Sequence, residues 1–271
     1  MVKQQKSQIL SNRQIHDNYY QLQLKCNNGF EKAIPGQFVM LRLSENYYPL
    51  LRRPFSIHDV SQNEAGDYCV ELLLKVIGKG TLALSQYLPG QWIDILGPIG
   101  NGFCFNDSVK NALLVSGGIG VAPMRFLAKC LLDNGTSCHV ISGGRTDNDV
   151  LCTDIFHALG IDVSIYTDDG SAGTKGLVTD DLEMLIQKQI PDIVYSCGPQ
   201  LMLSKVSEIA EKNNVACQVS LESHMACGMG ACLGCAVQSK DLHKTYYHVC
   251  ADGPVFLANR VHLNSSIEAN L

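Results

Sequence analysis

The sequence predicts a β plus α/β fold: an antiparallel β-barrel, then a parallel sheet wrapped by helices, then a small C-terminal lobe. Three observations predict it. Short alternating runs broken by turn residues fill residues 7 to about 103. From about residue 109 apolar strands alternate with helical stretches. The last fifty-odd residues hold a concentrated set of cysteines and little regular pattern. We divide the chain accordingly at 1–104, 105–215 and 216–271.

In the first part the runs YYQLQLKC, QFVMLRL, YCVELLLKVIG and QWIDILGP are separated by the turn signals Asn28-Gly29, Pro35-Gly36 and Pro89-Gly90. Alternation of period two puts one face of each strand inside, and closure into a barrel removes the exposed edges. In the second part NALLVS, SCHVISG, DVSIYT and DIVYSCG alternate with the helical PMRFLAKCLLDNG, TDDLEMLIQKQI and QLMLSKVSEIAEKN. That is the rhythm of a doubly wound parallel sheet. A lobe as small as the third part leans on a bound metal for order. The sequence contains no internal repeat and no low-complexity linker.

Composition narrows the partners. The 271 residues are 46% hydrophobic and 17% charged, with a net charge of −5, as expected of an ordinary globular chain. No basic run exceeds a pair such as Arg52-Arg53, which argues against nucleic acid or an anionic membrane as the main partner. The N-terminus has no apolar core of a signal peptide, and no stretch approaches eighteen apolar residues, so a cytoplasmic protein is expected. Eight of the twelve cysteines (Cys26, Cys69, Cys104, Cys130, Cys138, Cys152, Cys197 and Cys217) are scattered singly through apolar segments, and most read as buried reduced thiols.

The other four are different. Cys227, Cys232 and Cys235 read C-x4-C-x2-C, and Cys250 follows after fourteen intervening residues, the ligand order of a plant-type [2Fe–2S] site. Gly228, Met229, Gly230, Ala231, Leu233 and Gly234 between them are small or apolar, so a loop can wrap closely with its N–H groups aimed at sulfur. Two alternatives compete. A zinc site usually wants two C-x2-C knuckles or a histidine, and a disulfide pair needs an oxidising compartment. His224 sits close enough in sequence to replace a ligand, as in Rieske centres, but four cysteines already fill the site. Glu222 and Ser223 read first as solvated surface.

Further motifs lie in the two larger parts. RRPFS (52–56) sets a guanidinium beside a stiffened turn, then an aromatic and a hydroxyl; arginine can fork onto a pyrophosphate and an aromatic can lie on a planar ring. GKGT (78–81) offers backbone N–H groups before the short helix TLALSQYL. LLVSGGIGVAPM (113–124) is a strand, a glycine turn and a helix start whose proline loses no needed N–H. YSCGPQLM puts Cys197, Gly198 and Pro199 at the carboxyl end of a later strand, where open α/β sheets bind ligands. Each also reads as an ordinary turn. Arg145 can reach an adenosine 2′-phosphate, but Asp147 and Asp149 oppose one, which favours NAD over NADP.

Together these motifs resemble the ferredoxin–NADP reductase superfamily across nearly the whole chain. Its Arg-x-Tyr-Ser motif reads here Arg53-Pro54-Phe55-Ser56, which keeps the stacking ring and drops the phenolic hydroxyl. The resemblance implies that Arg53 and Pro54 meet the FAD pyrophosphate side, Phe55 and Ser56 the flavin, Leu73, Leu74 and Lys75 the flavin and ribityl edge, and Gly80 and Thr81 further phosphate contacts. It implies nicotinamide-nucleotide loops at Gly117, Gly118, Gly120 and Pro123 and at Gly198 and Pro199, with Cys197 near the point of hydride transfer.

Within that superfamily the C-terminal ESHMACGMGACLGC and VCADGPVF are similar to the electron-transfer subunits of dihydroorotate dehydrogenase B. That resemblance implies cofactors FAD and [2Fe–2S], NAD as substrate nucleotide, and an FMN-containing catalytic subunit as partner in a heterotetramer of two subunits of each kind. Electrons would pass from dihydroorotate, through the partner, the cluster and FAD, to NAD+ in pyrimidine biosynthesis. FAD is needed in the middle because a nicotinamide exchanges electrons in pairs and the cluster singly. The alternatives are a reductase subunit of a transhydrogenase, hydrogenase or sulfite reductase complex, a non-catalytic redox sensor, and a zinc-stabilised adaptor.

Overall fold

The computed structural model describes residues 2–26, 29–43, 50–63 and 66–263. Six strands close the barrel: β1 (Lys3–His16), β2 (Tyr19–Cys26), β3 (Phe38–Arg42), β4 (Arg53–Gln62), β5 (Tyr68–Lys75) and β6 (Trp92–Ile99). Their order is β1-β2-β5-β4-β3-β6, with antiparallel neighbours throughout. Helix α1 (Lys79–Ser85) lies between β5 and β6 in the chain. The run YYQLQLKC is β2 itself, and its alternation turns Leu22, Leu24 and Cys26 inward. By contrast β1, polar almost throughout, buries only Ser7 and Ile9 and is held by backbone pairing to β2 and β6 on either side.

The second sheet begins with β7 (Asn111–Gly117), β8 (Ser137–Gly144), β9 (Asp162–Thr167), β10 (Thr174–Lys175), β11 (Ile193–Cys197) and β12 (Ala216–Ser220). Helices α2 (Met124–Asp133), α3 (Thr153–Ala158), α4 (Leu182–Gln189) and α5 (Gln200–Lys212) connect them. In the C-terminal segment a hairpin of β13 (Ala236–Gln238) and β14 (Tyr246–His248) precedes β15 (Val255–Leu257). The sheet order is β10-β9-β8-β7-β11-β12-β15, parallel except where β15 runs against β12. The segment after residue 215 therefore supplies two strands to this sheet, β12 and β15, where Val219 and Phe256 join the core on one face and Val255 that on the other. β7 lies between β8 and β11, so the chain reverses its direction of winding there, and ligands of such sheets bind beyond the carboxyl ends of those strands.

The parts share their cores. Phe126 of α2 is buried among barrel residues such as Leu72 and Ile57. Tyr19 and Leu73 of the barrel are buried with Leu114, Leu127 and Tyr195 of the parallel-sheet unit. Phe38, Met40, Leu96 and Ile99 pack with Cys235, Tyr247, Val249 and Cys250. Charges reinforce the first joint: Arg125 of α2 meets Asp59 at 3.1 Å and Glu71 at 2.6 Å, and Lys129 meets Asp59 at 2.7 Å. A second joint gathers Lys75, at 2.8 Å, together with Tyr19 and Arg145 on Asp149. Among the described residues no helix is long and apolar enough to cross a membrane.

The seam yields two predictions. Asp59 is only 3% exposed, and Arg125→Ala leaves it and Glu71 without their shared guanidinium. That change should lower unfolding stability by about 3 kcal/mol, read from the urea midpoint. Beside them on β4, buried His58 is pushed down to about 4 from 6.5, by desolvation first and against the hydrogen bond it makes to Ala122. Its neutral form therefore favours the folded state above pH 6.5, and that contribution is lost as pH falls from 6.5 through 4. His58→Asn should flatten the fall of the urea midpoint across this window.

Candidate functional site

The carboxyl ends of β7 and β11 bring two separate glycine motifs together. β7 ends at Gly117, a 3-10 turn spans Gly118–Val121, and Pro123 opens α2. Opposite it, β11 ends at Cys197, followed by Gly198 and by Pro199 at the start of α5. A Cβ on Gly120 would fall on the Cys197 carbonyl, and one on Gly117 would meet Met202 Sδ at 2.8 Å and Pro199 Cδ at 2.9 Å. The two turns are thus in backbone contact, which only glycine permits here. Gly118, with φ +53, faces open space, leaving the outer side of the turn accessible to a ligand.

Cys197 is buried where the two turns meet. It is 3% exposed, and burial first, then the nearby charge of Glu222, pushes its thiol up to about 12. At neutral pH it is a protonated, apolar filler and a poor nucleophile. Glu222 reaches the surface, yet surrounding protein raises its own pKa by desolvation. Its position beside Cys197 was not visible in the sequence, where it reads as solvated surface ahead of the cysteine loop. The register Cys197↔Ser220 on β12, two residues before Glu222, creates the proximity.

On the barrel, RPFS opens β4 and pairs with β3 as Leu41↔Arg53, Met40↔Pro54, Val39↔Phe55 and Phe38↔Ser56. Arg53 donates to the Leu51 carbonyl at 2.9 Å, and its Nε lies 3.4 Å from where a Gly80 Cβ would be. RRPFS and GKGT therefore meet, presenting a guanidinium beside side-chain-free backbone. Thr81 Oγ1 accepts the N–H groups of Ile77 and Gly78 and so shapes that turn. Pro54 and Ser56 are half-buried, while Phe55 packs into the barrel core with Leu74. Leu73 lies in the joint between barrel and sheet, and the Lys75 ammonium is held by Asp149.

The four expected cysteines converge at the base of the β13–β14 hairpin. Cys235 and Cys250 are buried with their sulfurs 3.2 Å apart, while Cys232 is exposed. Backbone N–H groups surround the sulfurs: Met229 and Cys232 donate to Cys227 Sγ at 3.4 Å, Gly230 to Cys250 Sγ at 3.1 Å, and Cys250 to Cys235 Sγ at 3.4 Å. Desolvation opposes ionisation of Cys227, but these N–H groups outweigh it and bring the thiol down to about 6. Burial, and then the Cys235 contact, pushes Cys250 up to about 12.

This arrangement fits an iron–sulfur cluster. Amide donors stabilise thiolate charge, which is what metal ligation requires. The thiols associate as two neighbouring pairs, Cys227 with Cys232 and Cys235 with Cys250, which suits two irons. His224 is exposed and takes no part in these contacts. The loop also touches the barrel: Gly228, with φ +70, approaches so closely that a Cβ would lie 2.7 Å from Met40 Cγ. Met40 is the register partner of Pro54, so the cysteine loop rests on the back of the RPFS strand pair.

Comparison with known proteins agrees with this division. Residues 222–262 match the model of the iron–sulfur cluster binding domain of dihydroorotate dehydrogenase B, and residues 114–208 match the oxidoreductase NAD-binding domain. The dihydroorotate dehydrogenase B (NAD(+)) electron transfer subunit of Caldanaerobacter subterraneus subsp. tengcongensis is 40% identical over 94% of this chain and 97% of its own length. Its counterpart from a Geobacillus species is 39% identical over 96% of this chain and 99% of that protein. Among solved structures, that of an NADH-dependent reduced ferredoxin–NADP oxidoreductase superposes with a TM-score of 0.84 at 31% identity, covering 95% of this chain and 90% of that one. With a cysteine loop matching a cluster domain, a glycine cleft matching a nucleotide domain and relatives aligned end to end, the chain belongs to the family of dihydroorotate dehydrogenase B (NAD(+)) electron transfer subunits.

Proposed function

We propose that this chain takes electrons from an FMN-containing catalytic subunit that oxidises dihydroorotate, and delivers them to NAD+ through a [2Fe–2S] cluster and FAD. The complex would be a cytoplasmic heterotetramer of two subunits of each kind. The observation that carries this reading is the seating of the cysteine loop, through Gly228 and Met40, on the strand pair that bears Arg53–Ser56. A one-electron site would thereby be packed against the strand pair that carries the expected flavin residues.

When bound, FAD supplies the conversion between paired electrons at the nicotinamide and single electrons at the cluster. The chain's own residues do the rest. Arg53 and the Gly80 backbone fit a pyrophosphate, with Thr81 holding the turn. Gly117, Gly118, Gly120 and Pro123 shape the nucleotide cleft, closed on its far side by Gly198 and Pro199. Cys197, buried between the two turns, offers no thiolate, and Glu222 beside it holds a proton more readily than a free glutamate does. Cys227, Cys232, Cys235 and Cys250 would hold the cluster, with loop N–H groups compensating sulfur charge. Exposed Met229 and Leu233 rim the loop and offer an apolar surface to the partner.

The chain is similar, at 31% identity, to an NADH-dependent ferredoxin–NADP oxidoreductase, so a transhydrogenase-type reductase subunit is the second reading. The 40% identity to orotate-system relatives favours the first.

Two experiments check this. Purified alone, the protein should show flavin and [2Fe–2S] absorbance and oxidise NADH with artificial acceptors, but leave dihydroorotate untouched. Mixed with an FMN-type dihydroorotate dehydrogenase subunit from the same genome it should gain dihydroorotate-dependent NAD+ reduction, and Cys232→Ala should abolish that activity. Both spectra without the coupled activity would refute the partner assignment; a colourless zinc protein would refute the whole reading. Separately, Gly120→Val should cut kcat/KM for NADH by at least roughly tenfold while leaving the flavin spectrum intact, since the side chain must displace the Cys197–Gly198 backbone.

A further inference from the structure

We infer that His58, a buried barrel residue, is a positioning residue for the nicotinamide nucleotide, holding the Gly117–Pro123 turn in register through a hydrogen bond to the Ala122 carbonyl. The inference rests on the nucleotide reading of that turn given above.

His58 is 1% exposed and lies on β4, two residues beyond Ser56 of the RPFS stretch. Its Nδ1 is 2.6 Å from the carbonyl oxygen of Ala122. Ala122 is the last residue of the glycine turn: its own N–H closes that turn on the Ile119 carbonyl at 3.0 Å. Helix α2 starts its hydrogen-bond ladder one residue later, with Leu127 N–H on the Pro123 carbonyl at 3.2 Å. A carbonyl between the turn and the helix is thus left for a side chain, and the barrel supplies it. A single strand then carries the flavin-side motif at one end and the anchor of the nucleotide turn a few residues on.

The chemistry fixes the orientation. A carbonyl can only accept, so Nδ1 carries the hydrogen and Nε2 presents a lone pair. Cys152 Sγ stands 4.0 Å from Nε2, and burial pushes that thiol up to about 12, so it retains a proton to share. Cys152 itself is held at φ +66 as it caps α3. The chain Cys152, His58, Ala122 therefore runs from the start of α3, the second helix of the sheet domain, through the barrel, to the nucleotide turn. Desolvation keeps the imidazole neutral, which leaves this tautomer in place across the physiological range. Arg125, Glu71 and Asp59 surround the ring and brace α2 against the same strand.

The test compares His58→Asn, His58→Gln and His58→Leu in the complete protein. Asparagine can place an amide N–H where Nδ1 lies; glutamine reaches toward Nε2, and leucine has no donor. Binding of ADP-ribose by calorimetry reads the turn without any redox step. Leucine and glutamine should weaken it about tenfold, whereas asparagine stays within about threefold of wild type. In the NADH–acceptor assay the same two variants should raise KM about tenfold with kcat within about twofold, and all three should keep the wild-type visible spectrum. Wild-type affinity in both the glutamine and leucine proteins overturns the inference, as does equal weakening by asparagine and glutamine. Should leucine prevent folding, the asparagine–glutamine comparison decides alone. Failure of wild type to bind ADP-ribose overturns the nucleotide reading itself and the inference with it.

Discussion

The docking of α2 on strand β4 is the contact on which the rest of this molecule depends. It is both apolar and ionic: Phe126 enters the barrel core while Arg125 and Lys129 reach Asp59 and Glu71 on the barrel wall. Burying those carboxylates is unfavourable unless cations accompany them, so the barrel wall is stable only with α2 in this place. Because Pro123 at the end of the glycine turn caps α2, the position of that helix fixes the turn relative to the barrel. The ion pairs of Arg125 and Lys129 with Asp59 and Glu71 hold that turn and the barrel strand in one fixed relation, and reacting groups that meet there depend on fixed placement.

A second joint places the cysteine loop. Cys235 and Cys250 belong to a hydrophobic cluster shared with Met40 and Phe38 of β3, so the hairpin they carry is anchored on the barrel. Gly228 completes the approach, since any side chain there would collide with Met40. The small lobe thus borrows its core from both larger units, and β15 adds the antiparallel edge that covers β12. A segment too short to bury a core alone gains order from three sources: shared apolar contacts, strand pairing and the ligation its thiols are arranged to make.

Much of this was legible in the sequence. The runs YYQLQLKC and DVSIYT are β2 and β9 residue for residue, because alternation and apolar runs are local signals. The cysteine spacing located the cluster loop, and small residues between the cysteines foretold the N–H groups that now surround them. Strand β1 was not legible, since its polar residues carry no hydrophobic period and only pairing to two neighbours makes it a strand. Asp149 read as a charge that would repel a phosphate; in the fold it gathers Lys75, Tyr19 and Arg145 from two units of the chain. Glu222 read as surface and stands beside Cys197.

Fold class, the order of barrel, parallel sheet and cysteine segment, and the residue types for iron ligation and close backbone approach can all be read along the chain. Those properties are written in periodicity, spacing and glycine placement, which act over a few residues. Which motifs face one another emerges only on folding: Gly120 against Cys197, Arg53 against Gly80, Gly228 against Met40 and His58 against Ala122. These pairs are joined by packing of surfaces far apart in the chain, and no local pattern encodes the partner. Their geometry follows from burying charged and apolar groups together at the joints, a free energy that exists only once the chain has closed on itself.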